Sequence, residues 1–210
     1  MERPGVTPEA IVGEAARLFA ERGYDQTHMR SIARRLGVTH AALYNHFPDK
    51  VGILVGVVRV AIDGLLEHLD EVAASDVPEE ERFDTALRNH IRFIAEHVDV
   101  IATLFESEYA LPDVTKAELR AFRRAYRDGL AVFVAQAQDG GRFLPMEPSL
   151  AVQAIFGAAN SVYRWYRPGG PLSSQQLADQ LAELLAHGYH TPAGRCPAAT
   201  AREPTEAGLR

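Results

Sequence analysis

Little in this sequence would support catalysis, secretion or a membrane span. Its 210 residues contain one cysteine, Cys196. No internal disulfide can form, and the Pro/Ala/Thr-rich surroundings would support a catalytic thiol poorly. There is no phosphate-cradling glycine loop, no nucleophile elbow and no zinc-ligand spacing, and His90 with Glu96 and His97 does not match a metalloprotease helix. These absences predict a non-enzyme without cofactor or metal. The most apolar run, Val51 to Ile62, carries Arg59 and falls short of the ~20 residues that cross a bilayer. Met1-Glu2-Arg3-Pro4 leads into an amphipathic segment rather than a signal peptide, so the expected compartment is the cytoplasm. Sustained two-residue alternation and Asn-Gly or Asp-Gly hairpins are also missing, which argues against strands.

What is present is helix. Thr7-Pro8-Glu9 reads as an N-cap with proline at the first helical position, and Ile11, Ala15, Leu18 and Phe19 form a stripe that ends at Gly23. A short second helix, with Met29, Ile32, Ala33 and Leu36 on one face, stops at Gly37. Thr39 caps a third, ending near Phe47-Pro48. Asp49 caps a long fourth, running to about Val72. Further helices are predicted after Pro78, over Val100 to Tyr109, from a Thr115/Glu118 capping box to Gln138, from Pro148 to Arg167, and from a Ser173/Gln176 capping box to Gly188. The fold class is therefore all-α with roughly nine helices. The expected organisation is a small head (1–50), a helical body (51–190) and a disordered tail (191–210).

Formal charge is −6, unevenly spread. Residues 1–50 hold seven Lys/Arg against six Asp/Glu, and the rest hold fifteen against twenty-two. Acidic charge is kept in the body, which leaves the head free to approach a polyanion. Within the head, the stretch THMRSIARRLGVTHAALYNHFPDK (27–50) places two short helices around a glycine turn, the helix-turn-helix arrangement. Ile32, Ala33 and Leu36 point inward, and Leu43 and Phe47 anchor the second helix. Thr39, His40, Ala41 and Tyr44 then face outward, with the small residues Ala41 and Ala42 permitting close approach to base edges. Thr27, Tyr44, His46 and Lys50 suit phosphate oxygens. Arg30, Arg34 and Arg35 are open to either phosphate or solvent.

With those residues in place, the head resembles the TetR family of regulators: an opening helix, then RGYDQT, then SIARRLGVTHAALYNHFPDK. The resemblance implies that Thr39, His40 and Ala41 enter the major groove and that Tyr44, His46 and Lys50 hold the DNA backbone. Asn45, also placed at the interface, departs from the second aromatic that many members carry. A single helix-turn-helix reads few base pairs, so a homodimer on a palindromic double-stranded operator is expected. Ala154, Ala158 and Val162 on one long helix, with Leu177, Leu181 and Leu184 on the last, supply the predicted dimer surface.

A small-effector cavity is expected among the preceding helices. Phe105, Tyr109, Phe122 and Tyr126 are candidate lining aromatics, although an aromatic stripe at helical spacing is more often core. Arg123, with Arg120, Arg124 and Arg127 on its helix, and Arg164 and Arg167 on the next, near aromatics that include Trp165, suit an anionic, partly flat ligand. For the 120–127 cluster, a solvated face pairing with the acidic body is the favoured reading. The segment NSVYRWYRPGGPLSSQQLADQLAELLAHGY (160–189) is similar to the C-terminal domain of TetR regulators of fatty-acid, steroid-ring and other acyl-CoA breakdown. That resemblance implies an acyl-CoA thioester effector near Arg164, Trp165 and Arg167, and a ligand-responsive repressor. The alternative is a TetR-type sensor of cationic lipophiles, controlling an efflux or detoxification gene and using Glu106, Glu108 and Tyr109.

Overall fold

A computed structural model describes residues 6–187; the predicted tail lies outside them. Ten α-helices and two 3₁₀ turns make up the regular structure, and no strand occurs among the described residues. Local chemistry explains most of the boundaries. Helix α1 (Pro8–Arg22) starts where Thr7 accepts the N–H of Ala10 at 3.3 Å, and stops at Gly23, whose φ of 83° suits glycine. Helix α2 (Met29–Leu36) ends at Gly37 in the left-handed region. Thr39 caps α3 (His40–Tyr44) through the N–H of Ala42, and Asp49 caps α4 (Lys50–Ala74) through that of Gly52. Fully buried Ile11, Leu18, Ile32, Leu43, Ile53 and Leu54 join α1–α4 in one core, with no break in apolar packing at residue 50.

The body follows as α5 (Arg82–Glu96), α6 (Val98–Glu106), α7 (Asp113–Asp139), α8 (Pro148–Asn160), α9 (Val162–Trp165) and α10 (Ser174–His187). Helix α6 packs on α1, so the body's apolar face supports the head directly, and α10 lies along α5. The Ser173/Gln176 box closes as expected: Ser173 N–H donates to Gln176 Oε1 at 3.0 Å, and Gln176 N–H donates to Ser173 Oγ at 3.2 Å.

Three expected boundaries are corrected. The Thr115/Glu118 box does not form, because Pro112 holds an extended backbone and α7 starts at Asp113, leaving Thr115 buried inside the first turn. The helix expected from Pro148 to Arg167 breaks at Ser161. The Ser161 hydroxyl bonds back to the Ala158 carbonyl at 2.7 Å, a contact that bends helices. Finally, α6 ends at Glu106, and Tyr109 sits in a separate 3₁₀ turn (Glu108–Ala110), so Phe105 and Tyr109 do not share a helix face. No described helix is long and apolar enough to cross a membrane.

The body's core encloses one polar chain. His90 on α5 is buried; its Nδ1 accepts the Tyr126 hydroxyl at 3.0 Å, and its Nε2 lies 3.0 Å from Asn160 Oδ1. Neutral His90 with its proton on Nε2 satisfies all three groups. Burial pushes its pKa down to about 4, against an added pull upward from Asn160. Unfolding restores a value near 6.5, so the unfolded chain binds more protons between those two values. Stability from this site is complete above about pH 6.5 and is lost as pH falls towards 4. Urea unfolding at pH 7 and pH 4.5 should show His90 contributing a loss of about 2–3 kcal/mol, and His90→Gln should flatten that part of the profile.

Candidate functional site

The outer surface of the head has one groove suited to a polyanion. Thr27, His28, Met29, Arg30, Ser31, His40, Tyr44 and Lys50 enclose a concavity of about 490 Å³ between the start of α2, α3 and the start of α4. Thr39, His40, Ala41, Tyr44, Asn45 and His46 are all exposed, and α3 carries them because Leu43, fully buried, pins its other side. The rings of His40 and Tyr44 stand edge to face at 4.7 Å, one helical turn apart. No side chain caps α2, whose N-cap is His28. Met29, Arg30 and Ser31 at its start line the groove, which puts the positive end of the helix dipole at the groove's edge. Arg30 is exposed at the same edge.

Lys50 is held rather than free. Its ammonium donates to the carbonyls of Tyr24 (2.8 Å) and Asp25 (3.4 Å) and lies 4.1 Å over the Tyr24 ring. Partial burial lowers its pKa, opposed by Asp25, but an ammonium so bonded still has a donor to spare for the groove. Thr27 needs correction. It is 1% exposed, and its hydroxyl is shared between the carbonyls of Gly23 (2.9 Å) and Leu18 (3.2 Å). It builds the floor of the groove and does not offer its hydroxyl to phosphate. Arg35 is also withdrawn from the surface set, bonded to Glu14 at 2.8 Å and Glu21 at 3.2 Å, where it clamps α2 to α1. His28 and Ser31 line the groove although the sequence did not single them out; the uncapped position before Met29 was the available signal.

The predicted effector residues do not converge on one cavity but fall into separate clusters. Tyr126 and Phe122 pack beside His90, with Tyr126 almost wholly buried and its phenol pKa raised by that burial. Phe105 stacks on Tyr163 at 5.2 Å with the rings 6° from parallel, and Arg164 Nε donates to the Tyr163 hydroxyl at 3.0 Å. Arg123 is engaged twice by Glu108, at 2.8 and 3.1 Å. Arg167 is exposed, its guanidinium on the carbonyls of Arg164 and Tyr166. Tyr109 needs correction as a body-cavity residue. It is 60% exposed, and its hydroxyl donates to Asp25 of the head at 2.7 Å. Trp165 is likewise outward, with its indole N–H on Ser161 Oγ. His90, Asn160 and Tyr163 were missed, since nothing in one sequence brings residues seventy positions apart together.

The predicted dimer surface is partly redrawn. Val162 and Leu177 are buried within the chain's own core and are not available to a partner. Ala154, Ala158 and Leu184 are exposed, and Leu181 is half-buried. Leu150 and Trp165 extend the α8–α9 stripe at helical spacing.

Comparison with known proteins bears on both ends of the chain. The family described as bacterial regulatory proteins of the tetR family matches residues 11–57, and the tetracyclin repressor-like C-terminal domain matches residues 76–189. The transcriptional repressor KstR2 of Rhodococcus jostii is 27% identical over 180 residues, spanning 85% of this chain and 88% of that protein. A TetR/AcrR-family regulator from Thermobifida fusca is 33% identical, covers 88% of this chain and 98% of its own, and superposes with a TM-score of 0.68. AibR, solved in complex with isovaleryl coenzyme A and operator DNA, is 27% identical with a TM-score of 0.72, covering 84% of this chain and 96% of its own.

Two substitutions would tell a backbone-holding role for Lys50 from a base-reading role for His40. Lys50→Ala should weaken binding to all duplexes alike and reduce the slope of log affinity against log salt by about one. His40→Ala should chiefly narrow the gap between the best and a scrambled site, by about 1–3 kcal/mol. Both are measured by fluorescence anisotropy across a salt series.

Proposed function

The chain belongs to the tetR family of bacterial transcriptional regulators and is not an enzyme, and from that membership we propose a homodimeric repressor that a small anionic effector releases from a palindromic operator. The observation that carries the DNA reading is the groove: an uncapped helix start, Arg30, Lys50 and Tyr44 surround the approach to an exposed α3 whose Thr39, His40 and Ala41 are small or hydrogen-bonding. Phosphates held at the rim would set α3 into the major groove. Arg30, Asn45 and His46 are further contacts on the same face. The site of action is then the cytoplasm, where the DNA is.

Two copies are required to reach successive major grooves, one helical turn of about 34 Å apart. Leu150, Ala154, Ala158 and Trp165 recur at helical spacing as an exposed stripe on α8–α9, and Leu184 is exposed on α10. Paired across a two-fold axis this stripe would make a four-helix bundle. Ala158→Arg should put a charge into that seam. Sedimentation should then show a monomer with unchanged helix content, and operator affinity should fall by more than tenfold because one head must bind alone.

For the effector, the reading favoured is an acyl-CoA thioester. Support comes from AibR, crystallised with isovaleryl coenzyme A, and from this chain's own supply of arginines beside aromatics. Arg164 lies against the Phe105–Tyr163 stack, Arg167 follows α9, and Phe122 and Arg123 stand apart on α7. Flat stacked rings and guanidinium groups suit a phosphorylated nucleotide end. The lipophilic-cation alternative needs an unpaired carboxylate; Glu108 is taken by Arg123, which leaves that role to Glu106, beside Tyr24 and Tyr109 in the cleft at the head. Purified protein bound to DNA flanking its own gene should be displaced by one member of an acyl-CoA panel at fixed salt. Specific binding untouched by every thioester would end the acyl-CoA reading and leave the repressor.

A further inference from the structure

Head and body are joined by more than the continuous helix α4. The 3₁₀ turn Glu108–Ala110 is held on three sides. Glu108 takes Arg123 of α7 in two bonds, Lys116 donates to the Tyr109 carbonyl at 3.0 Å, and the Tyr109 hydroxyl reaches across to Asp25 Oδ2 at 2.7 Å. Asp25 lies in the turn between α1 and α2. The carbonyls of that turn, from Tyr24 and Asp25, hold the Lys50 ammonium at the edge of the DNA groove. Beneath the Tyr109–Asp25 bond is a cleft of about 270 Å³ lined by Phe19, Tyr24, Thr103 and Glu106, so the turn can move without first displacing packed core.

We propose that the Tyr109–Asp25 bond is a latch fixing the DNA head against the body, and that an effector anion opens it by taking Arg123 from Glu108. The proposal rests on the repressor reading above. A carboxylate and a phosphate present the same acceptor geometry to a guanidinium, so the exchange replaces one bidentate partner by another. Once Glu108 is released, the turn keeps only the Lys116 bond to the Tyr109 carbonyl as its polar anchor on α7. Tyr109 then leaves Asp25, and the carbonyls that position Lys50 lose their support. Coupling of this kind needs a contact that differs between two states, and the Glu108–Arg123 pair supplies one that an anion can compete for. Tyr109 and Asp25 are positioning residues; neither lines the DNA groove.

Full-length Tyr109→Phe, Glu108→Ala and the double variant test the latch without any effector. Each single variant should bind the operator about threefold to tenfold more weakly, the scale of one lost solvent-exposed hydrogen bond. The double variant should be no weaker than the worse single one, because both open the same connection. Thermal midpoints should stay close to wild type, since the residues are at the surface. Hydrogen exchange should rise at residues 24–31 in both single variants and remain unchanged along α8 and α10. Wild-type affinity and wild-type exchange at 24–31 in Tyr109→Phe would overturn the latch. Additive losses in the double variant would overturn the Glu108 connection. If the wild-type protein itself binds no specific DNA, the repressor reading fails, and the exchange experiment still decides whether Tyr109 holds the head.

Discussion

The structure depends on the packing of α1 against both α4 and α6. A three-helix head of this size buries too little surface to be rigid alone. Here Ile11, Ala15, Leu18 and Phe19 are shared with α4 and α6, so the body completes the head's core. Thr103 of α6 is buried in that seam, its hydroxyl on the Asp99 carbonyl at 2.7 Å and near that of Ala16 at 3.3 Å. The consequence is mechanical. Whatever moves α6 must move the head, because separating them would expose apolar surface and a buried hydroxyl together.

That arrangement explains how the groove can be both precise and adjustable. Its floor at Thr27 is committed to two carbonyls, and the helices around it are fixed by Leu43 in the core and by Arg35 between two glutamates. Its rim is built from groups with spare bonding capacity, namely the uncapped start of α2, Arg30, His40, Tyr44 and Lys50. Fixed floor residues keep α3 at one angle. The rim can accept phosphate without losing what holds it, which is the preorganisation that makes such binding strong.

How much of this was legible in the sequence follows from the range over which each interaction acts. Caps at Thr7, Thr39, Asp49 and the Ser173/Gln176 pair involve residues three apart, and all four form as their spacing requires. The one that failed, at Thr115, lost to the proline immediately before the helix start at Asp113. The exposed face of α3 was readable because Leu43 and its neighbours obey helical periodicity. Periodicity alone gives an apolar face but not its partner, and so Val162 and Leu177 were assigned to a second subunit when the chain's own core takes them. The same limit hid the His90–Tyr126–Asn160 chain and the Tyr109–Asp25 bond. Each joins residues thirty-six to eighty-four positions apart, and no local pattern encodes such a meeting.

Those long-range polar contacts also divide the molecule by how easily it can rearrange. His90 and Tyr126 are buried and paired with each other, and His90 is paired again with Asn160. The chain is therefore costly to disturb, because its groups would be left unsatisfied in an apolar core. The Glu108–Arg123 and Tyr109–Asp25 contacts are part-exposed, so water can replace either partner and the net stability at stake is small. A regulator needs both kinds. The buried chain ties α5, α7 and α8 together, so that a ligand acting on one is felt by the others, while the exposed contacts are weak enough for a ligand's binding energy to break. Part-exposed polar bonds at a domain seam therefore make better switch points than core ones. In this chain they occur between the arginine-bearing helix α7 and the turn that positions Lys50.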